Sequence, residues 1–263
     1  MNISNTLRQE CMPEMVYSIC KLAGSKSYYK EDVKRLITLG NTSKESNDQY
    51  NKVYRFAIDC GFIGEDVNDN VFVNFSKKEL SCFKAFRYAI FSDVFKNSQT
   101  IFTSLTKWYL SQERDIFSVK AIGDLLTRVP QDLGVRSEEY LLGFRFWIVA
   151  LGLAMMQKAG KGATLVFATN NILNDWIELS NPFEKGKPIL ANEFFDKLTI
   201  DCPLFKCCMV GNDINLALSM GLRVLNLNGL IELKYTTDSG DIWHLTNSIS
   251  DPKTNNITEI IVR

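Results

Sequence analysis

The sequence is short of histidine, of charge of one sign and of long apolar runs. Its 263 residues include one histidine, His244. That leaves no room for His-pair zinc sites or multi-histidine redox centres, and any Ser/His/Asp or Cys/His constellation would have to use His244 itself, which reads as a packed side chain on a strand. Thirty Lys+Arg against thirty Asp+Glu give no net charge, which argues against binding nucleic acid by bulk electrostatics but leaves a local basic patch open. The most apolar stretch, residues 140–156, is interrupted by Arg145. It falls short of the roughly 20 residues that cross a bilayer and reads as a buried helix. The opening MNISNTLRQE has no basic segment leading into an apolar one, so no secretory signal is expected. Cys11, Cys20, Cys60, Cys82, Cys202, Cys207 and Cys208 are odd in number and scattered, the pattern of reduced thiols in a cytoplasmic protein.

What the chain does have is a pattern that occurs three times. An apolar helix ends at glycine, an apolar pair follows, and a polar turn leads to a second strand-like run. The copies are FAIDCGFIGEDVNDNVFVNF with Gly61, WIVALGLAMMQKAGKGATLVFAT with Gly152, and RVLNLNGLIELKYTTDSGDIWHLT with Gly229. Glycine after a helix supplies the left-handed cap, and the turns EDVNDN, KAGKG and TTDSGD carry hairpin residues. Helical patterns precede each copy. Pro13 opens one with Met15, Val16, Ile19 and Leu22; others surround Val33, Leu36 and Ile37 and run from Asp48 to Cys60. Ile101–Leu110, Val119–Leu126 and a helix capped near Ser137 precede the second. Phe194–Leu198 and a long helix from Asp213 to Asn226 precede the third.

Helices closed by a two-stranded hairpin define the winged helix, a helix-turn-helix variant. The expected fold is mainly α with small β-hairpins (α+β): tandem winged-helix domains joined by helical connectors. The first domain spans residues 1–76, a helical connector 77–100, the second domain 101–169, a linker 170–190, the third domain 191–247 and a C-terminal tail 248–263.

A winged helix reads DNA with its third helix and holds phosphate with its flanks. Only the first copy has a basic face suited to this. Between residues 21 and 60 eight Lys+Arg stand against five acids. Lys26, Tyr28, Lys30, Lys34 and Arg35 lie on the turn and second helix, and Asn51, Lys52 and Arg55 on the third. These eight are the candidate nucleic-acid contacts, with DNA or RNA as partner. The third helices of the later copies are apolar, which assigns those copies to packing and protein partners. A pure protein adaptor without nucleic-acid binding is the competing class.

Three arrangements of residues bear on chemistry. Ala159–Thr164 resembles a phosphate loop but lacks the GxxxxGK[ST] spacing and lies between strand-like runs. Cys202, Cys207 and Cys208 with His244 could supply four zinc ligands, but no CxxC knuckle is present. Asp213 with Glu232 and Lys234 has the D…ExK order of Mg-dependent nucleases, which is the lesser, enzymatic alternative. The expectation is a non-catalytic protein with no cofactor, metal or membrane contact.

The second half also resembles a bacterial family. Trp147 with Leu151-Gly152-Leu153, Ala168-Thr169-Asn170, Phe194-Phe195 with Pro203, and Leu222, Leu225, Gly229, Leu230, Ile231 and Leu233 follow one another. That order is similar to the DpdG proteins of clusters that place deazaguanine bases in DNA and restrict unmodified DNA. The aspartate and proline of that family's DPT-like turn are absent here. The resemblance implies a role in restriction or antiphage defence, with other proteins of a defence complex as partners, and no catalytic signature.

Overall fold

A computed structural model describes all residues except 4, 98, 160–161, 238–240 and 248–251. The chain is mixed α/β, its helices accompanied by four small, mainly antiparallel sheets. It divides into two compact units, residues 1–104 with 122–150, and residues 105–121 with 151–263.

The first unit begins with α1 (Pro13–Ala23), β1 (Tyr28–Tyr29), α2 (Lys30–Ile37), α3 (Lys44–Asp59), β2 (Ile63–Glu65) and β3 (Asn70–Val73). Pro13 starts α1 because a first-turn position needs no backbone N–H. Val16, Ile19, Cys20 and Ala23 then fall on its buried face. Ser43 caps α3 by accepting from the Ser46 N–H. At its other end Gly61 adopts φ +69°, and the Phe62 N–H reaches back to Ala57 O at 2.9 Å, closing a Schellman turn that feeds β2. The sheet order is β1-β3-β2. The unit is completed by α4 (Phe83–Asn97), the start of α5 (Ile101–Leu110), α6 (Ile122–Arg128) and α7 (Glu138–Ala150). Its core is aromatic, with Phe56, Phe62 and Trp147 in mutual contact.

The second unit holds the end of α5, then β4 (Ala154–Ala159), β5 (Gly162–Phe167), α8 (Asn170–Ser180), β6 (Pro188–Leu190) and α9 (Ala191–Asp201). After a 3-10 segment, Pro203–Cys208, come β7 (Met209–Val210), β8 (Asp213–Ile214), α10 (Leu216–Leu227), β9 (Ile231–Lys234), β10 (Trp243–Leu245), β11 (Asn256–Ile257) and β12 (Glu259–Val262). Gly152 and Gly229 have φ +74° and +69°. The Leu230 N–H reaches Leu225 O at 3.0 Å, the same closure found at Gly61.

Several expectations are corrected here. Residues 170–190 are not merely a linker, because they contain α8, with Ile172, Leu173 and Trp176 buried. Residues 248–263 are not a tail, because Ile260, Ile261 and Val262 fill the middle strand of the sheet β6-β12-β9. Among the described residues the third copy forms no local hairpin between its two expected strands. β9 pairs with β12, Ile231 opposite Val262, while β10 joins β8 and β11 in a separate sheet. The turn residues 238–240 lie outside the described residues. The expected second domain is divided: α6 and α7 belong to the first unit and the β4/β5 hairpin to the second.

One topological order occurs twice. In residues 13–73 and again in 170–262 the chain runs helix, strand, helix, helix, strand, strand, and the strands pair in the order first, third, second. In both, the second helix starts on the residue after the first strand ends. The later version carries β7, β8, β10 and β11 as additions.

Candidate nucleic-acid interface

The eight candidate contacts all lie in the first unit, on the segment from the β1 turn through α3. Lys26 is exposed with its Nζ 4.6 Å from the centroid of the Tyr28 ring, a cation–π contact. Arg35 pairs with Asp32 one turn back at 3.0 Å. Lys30 sits between the Glu65 carboxylate at 2.9 Å and the Tyr54 ring at 5.3 Å. The Tyr54 hydroxyl donates to the same carboxylate at 2.8 Å. Lys30 thus ties the start of α2 to α3 and to β2. Lys52 is held by Glu10 at 2.8 Å and Asp48 at 3.0 Å. Those two carboxylates raise the Lys52 pKa, Glu10 most, and Lys52 lowers that of Glu10.

Lys34, Asn51 and Arg55 make no ion pair among the described residues, and Arg55 and Asn51 are exposed. Arg55 lines a cleft of about 360 Å³ with Thr6, Arg8, Lys52 and Asp59. Arg8 is a cation that sequence patterning passed over, because it lies in a polar leader with no helical period. Taken together, α3 shows Lys44, Lys52 and Arg55 against Glu45, Asp48 and Asp59, with no excess of either sign. The hairpin beyond it is acidic. From Gly61 to Ser76 there are three acids, Glu65, Asp66 and Asp69, and no Lys or Arg. Asp66 folds the turn by accepting from the Asn68 and Asn70 backbone N–H groups, which leaves Val67 at its tip almost fully exposed.

The Lys30–Glu65–Tyr54 network gives a pH prediction. Lys30 first, and Tyr54 second, hold the Glu65 carboxyl below its usual range. A depressed carboxyl stabilises the fold above its unfolded pKa of about 4.3 and loses that contribution as pH falls through the folded value. Glu65→Gln should therefore cost about 0.5–1 kcal/mol at neutral pH, with the two proteins converging at acid pH. Urea midpoints measured across that range would contradict this if the gap stayed constant.

The later helices offer no comparable face. In α10, Leu216, Leu218, Leu222 and Leu225 are buried. Its one strong cation, Arg223, donates to Thr254 Oγ1 and Asn255 Oδ1, both at 2.9 Å. In α7, Trp147 is buried and donates its indole N–H to Cys11 O at 2.8 Å. Of the basic turn at residues 158–161, Lys158 is exposed, and residues 160–161 lie outside the described residues.

The nuclease triplet is not assembled on one sheet. Asp213 lies on β8, in the four-stranded sheet, whereas Glu232 and Lys234 lie on β9 in the other. Glu232 is paired with Arg263 and with Lys234. Among the described residues no three His, Cys, Asp or Glu side chains form a group that could hold a metal. His244 is exposed and its Nδ1 lies 3.0 Å from Asn256 Oδ1. No helix among the described residues is long and apolar enough to cross a membrane. No family profile, curated protein or solved structure matches the chain.

Proposed function

We propose that the chain is a non-catalytic tandem winged-helix scaffold that holds partner proteins and touches nucleic acid weakly through its first copy. The observation that carries this reading is the repeated helix–strand–helix–helix–strand–strand order with first-third-second pairing. That order supports a helix-turn-helix domain with a wing, and of the two versions the earlier one has the more exposed third helix. From the leader through α3, Arg8, Lys26, Lys34, Lys44 and Arg55 have no carboxylate or carbonyl partner among the described residues, so the surface neutralises about five phosphates at most. The setting, a bacterial restriction or antiphage complex in the cytoplasm, rests on the order of segments shared with the DpdG proteins.

Replacing Lys34 and Arg55 together with alanine should weaken binding to duplex DNA and reduce the dependence of log K on log salt by about 2. Lys52→Ala alone should change the slope little, since two carboxylates already neutralise it. An unchanged slope in the double variant would remove the α2–α3 surface from consideration. A second reading, the pure protein adaptor, is favoured by the acidic hairpin, because a wing with three acids repels the phosphate it would otherwise hold. No retardation of DNA even at low salt would leave only that reading. Mg-dependent cleavage of DNA, abolished in Glu232→Ala, would instead install the enzymatic one.

A further inference from the structure

In the second unit a cavity of about 480 Å³ opens beside the end of the Pro203–Cys208 segment. Its wall carries Cys207 and Cys208 together with Glu113, Asp213, Asn215 and His244. The two sulfurs are 3.9 Å apart, within reach of an S–H···S hydrogen bond. Cys207 is half-buried at the cavity and Cys208 is buried behind it. Accepting that hydrogen bond, with the Lys107 ammonium adding to it, holds the Cys207 thiol below its usual range. Donating it, together with burial, pushes Cys208 up. A half-buried thiol facing the cavity, with a second, buried thiol in contact behind it, is the placement of an attacking and a resolving cysteine.

We propose that Cys207 and Cys208 are a peroxide-reactive dithiol site, cycling between two thiols and a Cys207–Cys208 disulfide with hydrogen peroxide as oxidant. The acidic lining of Glu113 and Asp213 selects a small neutral oxidant over an anionic one such as glutathione disulfide. The Cys207 thiolate attacks one peroxide oxygen, the O–O bond breaks, and the departing hydroxide takes up the proton Cys207 lost on ionising, leaving as water. Cys207 is then a sulfenic acid. The Cys208 sulfur attacks the Cys207 sulfur, the S–O bond breaks, and the Cys208 proton leaves with the hydroxyl as a second water. Two thiols have lost two electrons and one peroxide has become two waters. Neighbouring residues hold their Cα atoms about 3.8 Å apart, closer than in most disulfides, so the closed form is readily reduced again.

The test treats the reduced full chain with hydrogen peroxide, quenches with iodoacetamide and maps the peptides by mass spectrometry. The peptide carrying Cys207 and Cys208 should lose two hydrogens and escape alkylation before exposed Cys82 is modified, and dithiothreitol should restore it. Cys208→Ser should instead trap a sulfenic acid at Cys207 that dimedone labels, and Cys207→Ser should give neither product. Oxidation of Cys82 while the Cys207–Cys208 peptide alkylates fully would overturn the proposal, as would a bond from Cys208 to Cys202. Because Cys208 is buried, the wild-type reaction alone decides the matter if Cys208→Ser fails to fold.

Discussion

Trp147→Ala is expected to destabilise the first unit by about 3–5 kcal/mol, read as a lower urea midpoint at unchanged slope. The side chain is 1% exposed and its ring lies 5.5 Å from Phe56 and 5.9 Å from Phe62, centroid to centroid. Truncation removes the ring from the aromatic core, and the space it leaves is walled by rigid neighbours that collapse poorly. It also strands Cys11 O, which accepts the indole N–H in a buried position. Trp147→Phe separates the two losses, since it keeps most of the ring volume and loses the hydrogen bond, for about 1–3 kcal/mol. A loss below about 1 kcal/mol for the alanine variant would mean that α7 does not seat on the Phe56–Phe62 core.

Gly221→Ala in α10 is the second large effect, and its sign runs against helix propensity. In an open helix the change would gain about 1 kcal/mol. Here the added Cβ would lie 2.2 Å from Thr169 Oγ1 and 2.9 Å from the Asn170 backbone nitrogen. The threonine hydroxyl is not free to move aside, because it is buried and donates to Ala217 O at 2.8 Å. Either α8 and α10 separate or that hydrogen bond breaks. Overpacking costs about 1–3 kcal/mol and a stranded buried hydroxyl donor adds a comparable amount, so the net result is a loss of several kcal/mol in thermal unfolding. A stabilised variant would show that α8 and α10 are not in contact at Gly221.

The parts of this fold that were legible in the sequence are those decided by neighbours in the chain. Pro13 and the spacing of Val16, Ile19 and Cys20 place α1, and the apolar period of Ile101–Leu110 places α5. Gly61, Gly152 and Gly229 announce positive φ at three helix ends, and all three adopt it. The missed helix, α8, lacks a working side-chain cap. Thr169 stands at its N-cap position but makes no side-chain cap bond, because its hydroxyl is spent on α10. The strand β12 was hidden because its partners lie at residues 188–190 and 231–234, and pairing over such separations leaves no local period.

The candidate interface failed to show its true charge for the same reason. Lys52 looks like a free cation until Glu10, 42 residues away, is brought to it. Lys30 looks free until the β2 hairpin delivers Glu65. What reads along the chain as an excess of three positive charges becomes, once folded, a few uncommitted cations beside an acidic hairpin. This is why the proposal gives the scaffold role more weight than the reading of DNA.

The most direct measurement is fluorescence anisotropy of labelled duplex DNA titrated with the full chain over a series of salt concentrations. Weak binding is expected at low salt, with log K falling against log salt by a slope no steeper than about −4.5. A slope of about −7 or steeper would demand a larger basic footprint than the first copy carries, and would contradict the proposed scaffold with one small nucleic-acid contact.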